Sequence, residues 1–384
     1  MPAALSSAVS LYIHLPWCLH KCAYCDFNSH AVEVNSLPES DYTQAIIDDL
    51  KLASADIRDR PVQSIFIGGG TPSLFSARAI EIILQACMEY TAVSATCEIT
   101  LETNPGTFEY QKFKDFHAAG INRLSIGAQS FNDVYLQALG RIHDAGNALQ
   151  AIETAAAIGF DNINIDIMFG LPRQTLSEAI EDVRIAVQQP VQHISYYQLT
   201  LEPNTIFHRF PPPIPDSDLQ WEMQECALQM LTEYGFGRYE VSAYKRENHQ
   251  CVHNKAYWQY QDYLGIGAGA HTKLTLDGAI LRQQRTRQPD SYLNAVSSQQ
   301  HVVKSHQVSP AEQVFEFMLN NLRLCQGFTQ AHFKATTSAD WQDVQPLINE
   351  LIEQNLLDHD GMYYKASPLG YRFLDQITAK FLPE

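Results

Sequence analysis

Positive charge is scarce in this sequence. Lysine and arginine total 26 against 43 aspartates and glutamates, a formal balance of −17. A long nucleic-acid footprint needs cations clustered on one face, so no nucleic-acid partner is expected. No run reaches the roughly 18 apolar residues of a membrane-spanning helix, so no transmembrane segment is expected. The opening Met-Pro-Ala-Ala-Leu-Ser-Ser has neither a basic segment nor a long apolar stretch. No export signal is read there, and the cytoplasm is the default location. Cysteine is sparse and dispersed: Cys87, Cys97, Cys226, Cys251 and Cys325 stand far apart, which argues against a disulfide framework.

Against that background one close set stands out. Cys18, Cys22 and Cys25 are spaced C-x3-C-x2-C within Leu-Pro-Trp-Cys-Leu-His-Lys-Cys-Ala-Tyr-Cys-Asp-Phe. Soft thiolates in this spacing suit one face of an iron–sulfur cube. A cube has four corners and only three local ligands are offered, so the fourth iron is open to a small molecule. A zinc site would call for a second C-x2-C or a histidine pair, and none follows. Tyr24 and Phe27 are expected to wall the cluster from water.

Residues 10–15 read as a first strand ending at Pro16, so the cysteine loop leaves a strand end, a usual place for chemistry in α/β folds. Further buried-type runs lie at 62–67, 96–101, 123–127, 160–169 and 193–200, with helical patterns between them, such as 40–53 and 110–119. Such alternation implies a parallel sheet covered by helices, with its ligand at the C-terminal strand edge. Polar or glycine residues gather there. Gly68-Gly69-Gly70-Thr71 ends the second strand, where missing Cβ atoms let backbone approach a ligand. Glu102 ends the third, placed to accept from ribose hydroxyls or an ammonium. Asp166 lies inside an apolar run and, as a buried carboxylate, needs a partner, either a ligand or Arg141.

The texture changes after the sixth strand. Three units are expected: a barrel core over 1–205, an extension over 206–305, and a smaller C-terminal unit over 306–384. The extension opens with Phe-Pro-Pro-Pro-Ile-Pro at 210–215, a stiff linker. It also holds His253-Asn254-Lys255-Ala256-Tyr257-Trp258, where a histidine flanked by aromatics could be an ordinary core side chain or a haem axial ligand. The C-terminal unit shows helical patterns at 310–324, 328–335, 344–355 and 368–381. A hairpin with Asp360-Gly361 at its turn falls between the last two, a winged-helix-like pattern without a basic recognition helix.

The cysteine spacing, Tyr24, Phe27 and the words Tyr12-Ile-His-Leu-Pro-Trp-Cys18 together resemble the radical SAM superfamily. Within it they resemble the oxygen-independent coproporphyrinogen oxidase group, and most closely its haem-chaperone branch, HemW. That resemblance implies a partial, open (β/α)6 barrel carrying a [4Fe–4S] cluster on Cys18, Cys22 and Cys25, with S-adenosylmethionine (SAM) on the open iron. It implies SAM contacts from Tyr12, Gly69, Gly70, Thr71, Glu102, Gln129 and Arg141, and it raises His253 as a haem ligand. One electron from the cluster would cleave the sulfonium bond, which implies an external donor such as flavodoxin or ferredoxin. Haem and a haem-acceptor protein, for instance of a respiratory chain, are the other partners implied. The alternative is a coproporphyrinogen III dehydrogenase. Those enzymes resemble C-x3-C-x2-C-x-C at this loop and carry a longer segment before the first strand, whereas here the last position is Phe27. Decarboxylation is thereby put in doubt, and whether the chain turns over a substrate at all is left open.

Overall fold

The computed structural model describes residues 8–106 and 109–383. The N-terminal stretch read above for an export signal lies outside the described residues. Six strands lie side by side in chain order, each parallel to the next: β1 (Val9–Leu15), β2 (Pro61–Gly69), β3 (Ala92–Thr103), β4 (Arg123–Gln129), β5 (Ile163–Phe169) and β6 (His193–Gln198). Helices α1 (Glu39–Ala53), α2 (Ala77–Tyr90), α3 (Glu109–Ala118), α4 (Ala145–Ile158) and α5 (Leu176–Val187) return the chain between them. This is the α/β radical SAM architecture expected from the alternation.

The strands alternate in character. Leu11, Ile13, Ile65, Ile67, Leu101, Leu124, Ile126, Ile163 and Ile165 are buried in one apolar core with the helices. Their neighbours along the strands, Ser10, His14, Ser64, Thr100, Ser125 and Asn164, are buried too but polar. The outer face of the sheet therefore packs under helices while the inner face lines a polar interior. Successive residues point to opposite faces, so one strand serves both.

After the proline-rich stretch, Asp216 accepts from the Leu219 amide and caps α6 (Ser217–Glu233). Two short strands, β7 (Gly237–Glu240) and β8 (Ala243–Lys245), extend the sheet antiparallel beyond β6. Then α7 (Val252–Trp258) carries the His253 segment to the N-terminal end of the barrel, where the His253 amide donates to Glu98 on β3.

A seventh parallel strand, β9 (Tyr263–Ile266), pairs with the free edge of β1. Four residues containing glycine carry little strand signal in the sequence. Gly265 is required by the chain reversal: a Cβ there would stand 2.0 Å from the His271 carbonyl oxygen. Antiparallel strands β10 (His271–Leu276), β11 (Ala279–Arg285) and β12 (Val302–Gln307) continue outward. They complete a twelve-stranded sheet ordered β12-β11-β10-β9-β1-β2-β3-β4-β5-β6-β8-β7.

The extension is fastened to the barrel by Asp49 of α1, a fully buried carboxylate. It pairs with Arg285 at 3.2 Å and with His301 at 3.0 Å. It also accepts from Tyr292 of α8 (Pro289–Ser297) at 2.8 Å and from the Gly267 amide at 3.2 Å. Burial alone would push this carboxyl up, but Arg285 and His301 outweigh it and hold it at about 2. From the same helix, Tyr42 donates to the His14 carbonyl and accepts from the Ala268 amide, tying the end of β1 to the loop after β9.

Helices α9 (Pro310–Asn321), α10 (Gln330–Thr336) and α11 (Trp341–Glu353) form the C-terminal unit with β13 (Phe328–Thr329), β14 (Leu357–His359) and β15 (Tyr363–Ala366). The three strands pair in the order β13-β15-β14, and Asp360 accepts from the Met362 and Tyr363 amides at the expected turn. This winged arrangement has its own apolar core around Phe317, Phe333, Trp341 and Ile348. Tyr260 and Ile280 of the extension join that core and bind the unit to the barrel.

Asp49→Ala would leave Arg285 buried and unpaired. We expect about 3–5 kcal/mol of destabilisation in urea unfolding, against a smaller loss for Asp49→Asn, whose one remaining oxygen can still accept from Tyr292 and the Gly267 amide.

Candidate functional site

The cysteine loop is held open by its own side chains. Its ends are paired where Trp17 and Cys18 run parallel to His30 and Ala31. Lys21 Nζ donates to the Phe27 and Ser29 carbonyls, at 3.1 and 3.2 Å, closing the loop on itself. Asn28 Nδ2 donates to the Ala268 and Arg287 carbonyls and so pins the loop to the extension. Cys18, Cys22 and Cys25 all face one cavity of about 390 Å³ at the C-terminal strand edge, a volume within the usual small-molecule range of about 300–1,000 Å³.

The structure brings most of the expected residues to this cavity: Tyr24, Gly69, Gly70, Thr71, Glu102, Gln129, Arg141 and Asp166 all line it. Arg141 connects its walls. Its guanidinium donates to Cys22 Sγ at 3.7 Å, to Asn104 Oδ1 at 2.6 Å and to the Gly127 carbonyl at 2.9 Å. Asn104 in turn donates to Thr71 Oγ1 at 2.7 Å. The sequence reading passed over Asn104 as a turn marker before Pro105, yet it joins the glycine segment to Arg141. Gln129 holds a left-handed backbone, φ 68°, which an L side chain adopts only where its surroundings fix it. Tyr197 donates to its side-chain oxygen.

The glycine segment differs from expectation in what it approaches. A Cβ on Gly69 would lie 2.6 Å from His14, and one on Gly70 2.4 Å from the Trp17 carbonyl oxygen. The close approach is thus to the protein's own β1 and cysteine loop. The amides of Gly69, Gly70 and Thr71 bond Glu102, Leu15 and Trp17 respectively. These three amides are therefore taken by the protein itself.

Asp166 is tied neither to Arg141 nor to another cation by hydrogen bonding. Its carboxylate accepts from Ser125 at 3.1 Å and from Asn164 at 2.8 Å, neutral neighbours on adjacent strand positions. Burial pushes its pKa up despite them. Glu102 is raised further, to about 7, by burial first and the nearby Asp166 charge second. The cavity therefore holds two acids whose charged form burial disfavours.

Three aromatic expectations resolve differently. Tyr24 is enclosed with Tyr197, Leu199 and Phe207, as a cluster wall should be. Phe27 lines the cavity too, yet 61% of it is exposed. Tyr12 lies inside the barrel, its hydroxyl 2.9 Å from His14 Nδ1 and its ring stacked on Phe66.

His253 stands apart from the cavity. Its Nδ1 is 3.2 Å from Ser64 Oγ, five residues before Gly69 on β2, or roughly 16 Å at ordinary strand rise. The ring packs on Phe66 at 5.0 Å and near Tyr12 and Tyr257. It is 5% exposed, and burial drives its pKa down to about 3, so it stays neutral. As folded, no face of this imidazole is open to a planar macrocycle.

Residues 12–186 match the radical SAM superfamily, and residues 308–373 match the HemN C-terminal domain. Along the whole chain, the heme chaperone HemW of Escherichia coli K12 is 42% identical over 377 residues, covering 98% of each protein. This chain belongs to the HemW family of radical SAM proteins. The Haemophilus influenzae HemW is 43% identical over 381 residues, again with 98% of each covered. Among solved structures, E. coli coproporphyrinogen III oxidase (HemN), a radical SAM enzyme, superposes with a TM-score of 0.82 at 20% identity. It covers 97% of this chain and 89% of its own, and the shared property is the fold.

The cofactors of radical SAM proteins suit this HemW-family cavity. Among the described residues no three His, Cys, Asp or Glu side chains converge on one point as a single-ion site. A cube takes each thiolate at a separate corner, so the spread thiols match it better than one zinc ion. The Arg141 Nε is buried without a partner, and Glu102 and Asp166 are raised, both of which a charged ligand would relieve. The hardest residue to see in advance was His20, an exposed histidine on the cavity wall between two of the cysteines. Its position between them was the available signal.

Two outcomes are expected. Replacing Cys18, Cys22 or Cys25 singly by alanine should abolish iron and sulfide uptake on reconstitution, read by chemical iron analysis. Glu102, with its folded pKa raised from 4.5 to about 7, contributes stability at low pH that is lost as pH rises through that value. In cluster-free protein, Glu102→Gln should therefore gain stability relative to wild type between about pH 5 and about pH 8, measured by denaturant titration. A pH-independent difference would contradict the assignment.

Proposed function

We propose that this chain is a haem chaperone: it binds haem and passes it to an acceptor protein, on a barrel that also holds a SAM-coordinated [4Fe–4S] cluster. The full-length similarity to HemW proteins carries this reading. Phe27 supports it, standing where the resembling oxidases place a further cysteine. Cys18, Cys22 and Cys25 would hold the cluster, with SAM between the Gly69–Thr71 wall, Glu102, Gln129 and Arg141. The bound group supplies one-electron reduction of a sulfonium C–S bond. The chain's own residues do the rest. Arg141 orients Cys22 against the cavity wall, and Tyr24 with Tyr197 excludes water. An electron donor of the flavodoxin or ferredoxin kind, a haem-protein acceptor and a cytoplasmic setting complete the proposal.

The test is anaerobic. The reconstituted protein is mixed with SAM, dithionite and coproporphyrinogen III, and the same sample is then titrated with haemin. Stoichiometric haem binding without decarboxylated product is expected. Protoporphyrinogen formed in step with deoxyadenosine would overturn the chaperone reading in favour of a coproporphyrinogen dehydrogenase.

A further inference from the structure

A haem carrier needs an axial ligand such as an imidazole within reach of solvent, apolar surface for the macrocycle, and cations for two propionates. His253 fails the first requirement in this fold, being enclosed under α7. We infer that haem docks at the mouth of the cluster cavity, with the His20 imidazole on its iron and its ring against Leu19 and Phe27. This rests on the haem-carrying reading above and deepens it.

His20 is exposed and is the one histidine lining the cavity. Its ring borders the turn at Gly140, where a Cβ would stand 3.5 Å from Nε2. Apolar side chains are exposed on the segments that meet near it, and Phe27 lines the same cavity. Leu19 is 41% exposed, Phe27 61%, Ile142 68% and Phe210 66%. Each is held in place by the cluster loop or by a segment touching it. Ile142 follows the Gly140–Arg141 turn that contacts Cys22. Phe210 ends the short helix Ile206–Arg209, anchored by the Phe207 amide on the Ala23 carbonyl. So much apolar surface gathered at a cavity mouth calls for a cover.

Charge favours a carboxylate-bearing cover. Phe27 also lines an adjoining cleft of about 360 Å³ that contains Lys21 and Arg287, and Arg209 lies over the Phe210 ring at 5.2 Å. On a chain of net charge −17, these cations flank the apolar mouth where two propionates would lie. A flat dianion with a metal centre fits this combination, and the macrocycle would then close the cavity below it.

The experiment is haemin titration of the full chain, cluster-free and reconstituted, read by the Soret band. His20→Ala should shift the band and weaken affinity about tenfold or more, and Phe27→Ser should weaken it several-fold. His253→Ala should leave the band unchanged. Phe27 is exposed, so its variant tests the site without disturbing the core. The cluster-free arm keeps the His20 result independent of cluster loss, which iron and sulfide content would reveal. Wild-type band and affinity in both the His20 and Phe27 variants would overturn the inference, as would loss of binding in His253→Ala alone. Failure of the wild type to bind haem would instead remove the haem-carrying reading, and this site with it.

Discussion

Arg141 donates at once to Cys22, to Asn104 and to the Gly127 carbonyl, and the site depends on that fork. The cysteine loop follows β1, Asn104 follows β3 and Gly127 belongs to β4. A planar guanidinium holds three such partners in a fixed geometry, where a lysine would present a flexible point charge. Through Asn104 the connection reaches Thr71 beyond β2. The cavity is thus closed by polar contacts between strand ends that the sheet alone would leave separate. Lys21 and Asn28 complete the arrangement by fixing the loop to itself and to the extension.

Below that rim the barrel interior is polar. Many of its groups bond one another, His193 with Asn164 and Tyr239 and Ser64 with Ser10 and His253, while Thr100 Oγ1 and Arg123 Nε are buried without a hydrogen-bond partner. The same enclosure disfavours charge. It lowers His14 to about 4 and His253 to about 3, and it raises Glu102 to about 7. A cationic ligand entering from the top would meet acids ready to ionise. From the bottom, α7 shuts the interior with the aromatic segment that also carries His253. One barrel therefore has two unlike ends, an open one with thiols and exposed apolar side chains and a sealed one with a neutral histidine.

Much of this was legible along the chain. Period-two strands alternating with helices reveal a parallel barrel, because burial against helices repeats at fixed intervals. The C-x3-C-x2-C spacing identifies a cluster loop, because a cube can be held only by thiols that close together. The winged unit shows itself through helical spacing and an Asp-Gly turn. What stayed hidden involved partners remote in the chain. Arg141 was recognised, but its bond to Cys22 spans 119 positions, and Asn104 had no local feature beyond its proline neighbour. Asp166 was expected to meet a ligand or Arg141; it accepts from Asn164, two residues before it on β5, and from Ser125, which becomes its neighbour only across β4 and β5.

The sequence by itself determined the fold class, through strands and helices that alternate along the chain, and the family, and it offered Cys18, Cys22 and Cys25 as candidate cluster ligands through their close spacing. Only the tertiary structure decided that Phe27 is largely exposed, that His20 lines the cavity, that a seventh strand extends the barrel and that His253 is sealed beneath it. Exposure is a property of what packs against a residue, and those contacts come from segments hundreds of positions away. An aromatic or a histidine carries the same letter whether it is covered or open.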